Sequence, residues 1–278
     1  MRIIKRGSGY LAEFNDILKR IKTGILLGIV VIFALWIDNL VLPLLLMVFI
    51  TFATNEYFRF WHRKGVYPHT LAVLFPGYVI PLLFYFEIPF LLPAFVLFFF
   101  MTLLAVMRFP GARQRPNFLS EIAANFFGVF YISLLPSTII LLRKEGFFIS
   151  LIPLVLTWLF DTFAYIIGSL LGRHPIAEKL SPKKTIEGTV LAFPFTFPFT
   201  YWLNSLFIKR FNFVDAILLT LGIGILGTVG DVFESGMKRE VDLKDASKVF
   251  PGHGGFLDRM DSLIFNIPFF FLYYRHYG

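Results

Sequence analysis

The sequence predicts an all-α fold, a polytopic bundle of about nine transmembrane helices with the N-terminus in the cytoplasm. Hydrophobic residues make up 57% of the 278 positions and 37 residues are Phe, which is too apolar for a typical water-soluble domain. The apolar residues form repeated runs of about 20 residues, the length of a membrane-spanning helix, and not the alternating pattern of a β-barrel. We therefore expect a single integral membrane domain over residues 1–278.

The apolar runs divide the chain into nine candidate spans. Before the first span, residues 1–22 are basic and amphipathic, which predicts an interfacial helix lying on the membrane surface. The least distinct boundary is at Glu87, where two runs almost touch. The spans cover residues 23–37, 40–58, 70–87, 88–106, 118–142, 148–171, 186–207, 213–237 and 258–275.

Lys and Arg are distributed unevenly between alternate connections. With the N-terminus inside, 21 of the 26 basic residues lie on the inner side and 5 on the outer side. Positively charged loops tend to stay in the cytoplasm, so we expect loops 172–185 and 238–257 on one cytoplasmic face. The protein is thus predicted to be a multi-pass protein of the inner (cytoplasmic) membrane. We attribute its net charge of +8 to this asymmetry and expect no nucleic acid partner.

Two of the predicted spans are rich in glycine. The eighth span contains Gly222, Gly224, Gly227 and Gly230, and the sixth contains Gly168 and Gly172. Small residues let helices approach closely in lipid, so close packing is the first interpretation. Space for a ligand, or a bent helix, is the alternative.

The charged segment 161–188 combines an acid inside a span with a lysine-rich loop. Asp161 shares one helical face with Tyr165 and Gly168, and an acid within a span needs a partner or a function. The loop then offers hydroxyls, ammonium groups and an acid at Ser181, Lys183, Lys184, Thr185 and Glu187. Such a set suits a polyphosphate. The alternative is a basic loop that contacts only lipid headgroups.

The charged segment 231–261 holds paired carboxylates between two apolar spans. Asp231 and Glu234 lie one helical turn apart, as do Asp258 and Asp261, so each pair can face one point. Magnesium prefers hard oxygen ligands and keeps waters that a phosphate can replace. We therefore expect one or two Mg²⁺ ions at Asp231, Asp258 and Asp261. The alternative is plain ion pairing with the basic residues Lys238, Arg239 and Arg259.

His253 lies between glycines, which allow unusual backbone angles and close approach of a ligand. A single histidine in a loop is more often only solvated. The other four histidines show no metal-binding spacing. The chain contains no cysteine, which excludes disulfides, thiolate metal sites and Cys nucleophiles.

The segment from Ser235 to Asp261 resembles the signature of phosphatidate cytidylyltransferases, also called CDP-diacylglycerol synthases. The resemblance runs over 27 residues without a gap and comprises Ser235-Gly-Met-Lys-Arg, Lys244-Asp245 and Phe250-Pro-Gly-His-Gly-Gly-Phe-Leu-Asp-Arg-Met-Asp261. Segments 161–168 and 181–188 are similar to other recurrent blocks of that family, with Ile186 where the family usually has Trp. The resemblance covers about residues 155–265, which we expect to be the catalytic region.

The resemblance implies transfer of CMP from CTP to phosphatidic acid, giving CDP-diacylglycerol and pyrophosphate, with Mg²⁺ as cofactor and two cation sites expected. Membrane lipids and a homodimer are the other expected partners. A lipid phosphomonoester is already ionised near neutral pH, so no general base is needed. We expect catalytic roles for Asp231, Lys244, Asp245, Asp258 and Asp261. We expect substrate contacts from Asp161, Ser181, Lys183, Lys184, Thr185, Glu187, Lys238, Arg239, His253 and Arg259.

Two other classes of protein share some of these features. A CTP-dependent polyprenol or phytol kinase would also use a nucleotide in a membrane bundle, but attack by a neutral alcohol would require a base. A cation transporter would place its acids near the midplane of several spans, whereas these acids cluster at one cytoplasmic mouth. The alcohol phosphatidyltransferases use a D-G-x-x-A-R motif, which this sequence lacks.

Overall fold

A computed structural model of the chain describes residues 22–37, 40–88, 91–108, 117–250 and 254–277. The interfacial helix predicted for residues 1–22 lies outside these ranges, except for Lys22 at its end. His253 also lies outside them.

The nine predicted apolar runs all coincide with helices in the described parts of the chain. The N-terminal half contains α1 (Lys22–Ile37), α2 (Val41–Arg63), α3 (Thr70–Tyr85), α4 (Leu91–Arg108) and α5 (Phe118–Gly128), which continues through a π-helical turn (Val129–Leu134) into α6 (Leu135–Glu145). The C-terminal half contains α7 (Phe147–Leu171), α8 (Ile186–Leu203) with a π-helical turn (Asn204–Ile208), α9 (Phe213–Arg239), the short α10 (Leu257–Met260) and α11 (Leu263–Tyr277).

Within the described residues, four continuous helical segments are long and apolar enough to cross a membrane. They are Val41–Arg63, Phe118–Glu145, Phe147–Leu171 and Phe213–Arg239. Helices α1 and α3 are apolar but shorter. The prediction of an all-α membrane protein with several spans is thus confirmed, whereas the total of nine spans stays a prediction.

A small β-hairpin in loop 172–185 departs from the all-α expectation. Strand β1 (Pro175–Ala177) pairs antiparallel with β2 (Ser181–Thr185), and Pro175 lies opposite Thr185. Strand β1 has only three residues, and β2 is mostly polar without an alternating apolar pattern, so hydropathy could not reveal them. The hairpin gives the lysine-rich segment a defined direction.

The turn at Glu87 separates the two spans that almost touch in the sequence. Helix α3 ends at Tyr85 and α4 begins at Leu91. Glu87 has a φ of 55°, in the left-handed region, which a regular helix does not continue through. Its carboxylate pairs with Lys144 at 2.8 Å. The helix therefore ends at this turn, and the two apolar runs form separate helices.

Two ion pairs connect loops that are far apart in the sequence. In each pair, both loops are predicted to lie on the same side of the membrane. Lys64 pairs with Glu240, and both belong to predicted inner loops. Arg275 pairs with Glu145 at 3.5 Å, and both belong to the predicted outer side. These contacts agree with helices that alternate in direction. Which side is cytoplasmic stays a prediction.

Glycines in α9 allow direct contact with neighbouring helices. An added Cβ at Gly224 would overlap the ring of Phe160 in α7. One at Gly230 would overlap the backbone oxygen of Asp261 and lie 2.9 Å from the Phe265 ring. The close-packing interpretation is confirmed at these positions. At Gly230 the contact brings Asp261 directly against α9.

The buried apolar residues that the structure describes form two hydrophobic clusters. One lies between α6, α7, α9 and α11. The other lies between α2, α3 and the π-helical turn after α5, and it includes Val241, Ala246 and Leu257. Apolar residues from the charged segment 231–261 therefore pack into the N-terminal half of the protein.

Candidate active site

Charged side chains from four elements meet at one end of the bundle. Asp161 comes from α7, Asp231 from α9, Asp261 from the turn after α10, and Lys184 from β2. Lys184 forms an ion pair with Asp231. Asp161 and Asp261 are linked to each other through Ser262, and the backbone of Asp261 packs against Gly230, next to Asp231. These four residues, which we call the acid–lysine cluster, were all predicted from the sequence as site residues.

Ser262 connects two acids of the cluster. Its hydroxyl donates a hydrogen bond to Asp161 Oδ2 at 3.2 Å, and its backbone N–H donates to Asp261 Oδ1 at 2.9 Å. Ser262 is buried, and both bonds are partly buried. Sequence reasoning missed this residue, although it directly follows Asp261. The serine orients the acids of α7 and of the turn after α10 relative to each other.

The electrostatics of the cluster favour a cation. Burial lowers the pKa of the Lys184 ammonium below its usual value, while the charges of Asp161 and Asp261 act in the opposite direction. Three carboxylates face one ammonium group, so the cluster carries excess negative charge when all four groups are ionised. A second cation would reduce the repulsion between the acids.

The cluster has donors that fit Mg²⁺, but it is not a preformed metal cage. Carboxylate oxygens are hard ligands, and Mg²⁺ usually takes only one or two of them together with waters and substrate phosphates. Across the part of the chain that the structure describes, no three His, Asp or Glu side chains are grouped to hold a metal. Lys184 occupies the contact with Asp231. Asp231 and Asp261 thus offer oxygen ligands of the kind that Mg²⁺ takes, and the magnesium site stays a prediction.

Asp258 belongs to a second, separate group of charges. Its Oδ1 accepts from Lys238 Nζ at 2.5 Å, and its Oδ2 accepts from the backbone N–H groups of Ala246 at 2.8 Å and Gly255 at 2.7 Å. Lys238 also pairs with Glu234, and all three charged side chains are buried. Pairing of Asp258 with Lys238 is what the alternative to a metal site, plain ion pairing, predicts. These contacts favour a role for Asp258 in holding the loop, and its metal role stays a prediction.

The two glycines after His253 make room for acids of the chain itself. Gly254 has a φ of +78°, and an added Cβ there would overlap the Asp258 carboxylate. A Cβ at Gly255 would overlap the carboxylate of Glu56 from α2. The sequence predicts that these glycines allow close approach of a ligand. The space beside them is occupied by two carboxylates of the protein.

Thr185 and Glu187 hold the β-hairpin against the start of α8. Thr185 is the N-cap of α8, and its hydroxyl accepts from the backbone N–H of Gly188 at 3.2 Å. Glu187 Oε2 accepts from the backbone N–H groups of Arg173 at 3.1 Å and His174 at 3.2 Å. Capping bonds of this kind define where a helix begins. The substrate contacts expected of these two residues stay predictions.

The remaining predicted site residues lie mostly on the surface. Arg239 donates to the backbone oxygen of Leu243 at 3.1 Å and to that of Leu180 at 3.5 Å, so it connects the hairpin with the loop after α9. Ser181 is partly buried. The exposed members are Lys183, Arg239, Lys244, Asp245 and Arg259. Their side chains are accessible to a solvated ligand.

Helix α2 contributes a buried acid that sequence reasoning missed. Glu56 is 2% exposed and accepts three hydrogen bonds, from Ser247 Oγ at 2.5 Å and from the backbone N–H groups of Phe256 at 3.0 Å and Leu257 at 2.9 Å. The available signal was an acid inside the apolar run 40–58, since such an acid needs a partner. The N-terminal half thus takes part in forming the site region.

The fold and the site together define a helical membrane protein that gathers acids and lysine at one end of its bundle. Residues 18–277 match the cytidylyltransferase family, and the chain belongs to that family. The match extends well beyond the region 155–265 in which the sequence motifs lie.

Several curated relatives are similar to this chain over part of its length. A phosphatidate cytidylyltransferase of Staphylococcus aureus (strain COL) is 41% identical over 130 residues, which cover 45% of this chain and 48% of the relative. A phosphatidate cytidylyltransferase of Thermotoga maritima is 36% identical over 138 residues, covering 48% of this chain and 51% of the relative. The chain therefore spans about half the length of the curated relatives it matches.

Proposed function

We propose that this chain is a phosphatidate cytidylyltransferase, which transfers CMP from CTP to phosphatidic acid and releases pyrophosphate. The observation that carries the proposal is the grouping of Asp161, Asp231, Asp261 and Lys184, joined by the Lys184–Asp231 ion pair and by the hydrogen bonds of Ser262 to Asp161 and Asp261. Membership of the cytidylyltransferase family and the names of the relatives support the choice of substrates.

The reaction joins two polyanions. A phosphate oxygen of phosphatidic acid attacks the α-phosphorus of CTP, and the bond from that phosphorus to the bridging oxygen breaks. Pyrophosphate leaves with the electron pair of the broken bond. The attacking phosphate is already ionised near neutral pH, so the protein mainly has to align the two phosphates and offset their repulsion.

The acid–lysine cluster is suited to that task. Asp231 and Asp261, with Asp161 beside them, would hold magnesium, which when bound neutralises charge on the reacting phosphates. The Lys184 ammonium would donate hydrogen bonds to a phosphate oxygen. Exposed Lys183 and other basic side chains at this end would attract the triphosphate. Catalytic roles for Lys244 and Asp245 and the homodimer belong to this proposal and rest on the resemblance.

The assay that tests the proposal measures pyrophosphate release from CTP by the purified chain with Mg²⁺. Release is expected only when phosphatidic acid is present, with CDP-diacylglycerol formed in equal amount. If a polyprenol or phytol replaces phosphatidic acid and CDP is released, the protein is a lipid alcohol kinase. Cation flux without any CTP turnover would instead indicate a transporter.

The proposal includes nine spans, a cytoplasmic N-terminus and a site that faces the cytoplasm. The chain has no cysteine, so single cysteines can report sidedness. The exposed positions Lys183 and Lys248, changed to Cys, are expected to react with an impermeant thiol reagent from the cytoplasmic side, and Lys144→Cys from the opposite side. Labelling of the cysteines at Lys183 and Lys144 from the same side would contradict this topology.

A further inference from the structure

The last turns of α2 bind the main chain of the loop after α9. Arg59 Nη1 donates to the backbone oxygen of Ala246 at 3.2 Å, and Arg63 Nη1 donates to that of Val241 at 2.9 Å. Residues spaced three or four positions apart share one face of a helix, so Glu56 lies on this face as well. We call residues 240–256, between the end of α9 and the start of α10, the α9–α10 loop. One face of α2 thus contacts both ends of the loop.

Glu56 acts on the loop where α10 begins. Its carboxylate accepts hydrogen bonds from the backbone N–H groups of Phe256 and Leu257. These groups lie at the start of α10, where backbone N–H groups have no acceptor within the helix. A buried carboxylate is very unfavourable unless hydrogen bonds compensate it, and Glu56 receives a third bond from Ser247. Glu56 therefore joins the middle of the α9–α10 loop to its end.

Apolar contacts next to Glu56 strengthen the same attachment. Phe52, one turn earlier in α2, stacks on Phe256 with ring centroids 4.7 Å apart and an angle of 6° between the planes. Gly255 lies so close to Glu56 that an added Cβ would overlap its carboxylate. The backbone before α10 is therefore in direct contact with α2.

From these contacts we infer that Glu56 is a positioning residue for the reaction. It fixes the start of α10, which carries Asp258 and leads directly into Asp261 of the acid–lysine cluster. Glu56 does not touch the cluster and acts through the loop. The inference rests on the proposed function for its effect on turnover, whereas the hold of Glu56 on the loop can be tested independently of any reaction.

The first measurement is turnover by Glu56→Gln, which keeps the shape of the side chain and removes its charge. We expect kcat to fall on the order of tenfold to a hundredfold, because small misplacements of reacting groups cause losses of this size. KM for CTP should change little, since the hairpin with Lys183 and Lys184 is untouched. The matched control is Glu240→Gln, which removes an exposed ion pair between α2 and the same loop and should leave both constants unchanged.

The second measurement is limited trypsin cleavage, which reports local opening of a segment. Lys244 and Lys248 are exposed residues of the α9–α10 loop, whereas Lys179 and Lys183 lie in or beside the hairpin. Glu56→Gln should speed cleavage after the two loop lysines and leave cleavage at the hairpin as in the parent. Ser247→Ala, which removes one of the three donors, should give the same pattern to a smaller extent.

The two measurements separate this inference from the proposed function. If the parent chain does not turn over CTP, the proposed function fails, and the cleavage pattern still reports whether Glu56 holds the loop. If Glu56→Gln keeps the parent kcat, or if cleavage rises equally at the loop and the hairpin, Glu56 is not a positioning residue. If Glu56→Gln does not fold, the same two measurements are made on Ser247→Ala. A parent kcat, or cleavage that rises equally at the loop and the hairpin, would then show that Glu56 is not a positioning residue.

Discussion

Asp261→Asn is expected to lower pyrophosphate release by a factor on the order of a hundred or more, the loss seen when one charge-stabilising group is removed from an active site. The substitution keeps the side-chain shape and the oxygen that accepts from the Ser262 N–H. It removes the negative charge and a strong ligand for magnesium. The folded structure should persist, and the measurement is the rate of pyrophosphate release at saturating CTP and phosphatidic acid.

Thermal melting with and without magnesium separates a metal role of Asp261 from a structural one. Magnesium should raise the melting temperature of the parent by mass action, and this shift should be lost in Asp261→Asn. In chelator the variant should melt at or above the parent, because repulsion from Asp161 is relieved. Asp242→Asn is the matched control, since Asp242 is an exposed acid of the α9–α10 loop with a φ of 56° that Asn tolerates. Retention of the magnesium shift and of turnover in Asp261→Asn would contradict the assignment.

The acid–lysine cluster could be predicted because its members interrupt apolar segments. Asp161 stands inside a span, and Asp231 and Asp261 stand at the ends of two others, so the cost of burying a charge draws attention to each. Lys184 lies in a short basic loop that the charge asymmetry placed at the same membrane face. The hydrophobic pattern therefore picked out each of these residues, although it also grouped Asp258 with Asp231 and Asp261, whereas in the structure Asp258 pairs with Lys238.

The partners of each charge could not be predicted in the same way. Lys238 has carboxylates nearby in sequence and in the structure pairs with Glu234 and Asp258. Asp258 also accepts from the backbone of Ala246, a contact that depends on the path of the loop. Whether Asp258 is a metal ligand or part of an ion pair could be judged only once the path of the loop was known. Hydropathy carries no information about that path.

Contacts between the two halves of the chain could not be predicted from the sequence pattern either. Glu56 and Ser247 are 191 residues apart, and their hydrogen bond depends on how α2 packs against the α9–α10 loop. The hydrophobic periodicity of neither segment indicates that Glu56 and Ser247 are in contact. The β-hairpin was missed for a related reason, because its strands are stabilised by capping and ion pairs and not by an apolar face.

The charges along α9 divide into two groups with different tasks. Asp231 faces Lys184 of the hairpin, in the cluster that we propose for chemistry. Glu234 and Lys238 face Asp258, in a buried group that holds the α9–α10 loop to the helix. A substitution in the first group should therefore act mainly on turnover, and one in the second mainly on stability.

Lys238→Met is accordingly expected to cause a large loss of stability. The side chain of Lys238 is 10% exposed, and those of its partners Glu234 and Asp258 are 0% and 6% exposed. Removing the ammonium leaves two buried carboxylates without their cation, and breaking a buried pair in this way costs about 3–5 kcal/mol. The melting temperature in detergent should fall by roughly 10 °C for a chain of this size. Lys64→Met is the control, because its exposed pair with Glu240 contributes about 0–1 kcal/mol.

A combined variant tests whether the loss comes from charge or from packing. Lys238→Met together with Glu234→Gln and Asp258→Asn leaves no net charge in the buried group, while the Asn side chain keeps an oxygen for the two backbone N–H groups that share Asp258 Oδ2. If unpaired charge causes the loss, this variant should melt well above Lys238→Met, because neutral replacements of buried ion pairs are often tolerated. Equal melting of the two would assign the loss to the packing of the lysine side chain. A Lys238→Met protein that melts like the parent would show that the buried group does not hold the α9–α10 loop.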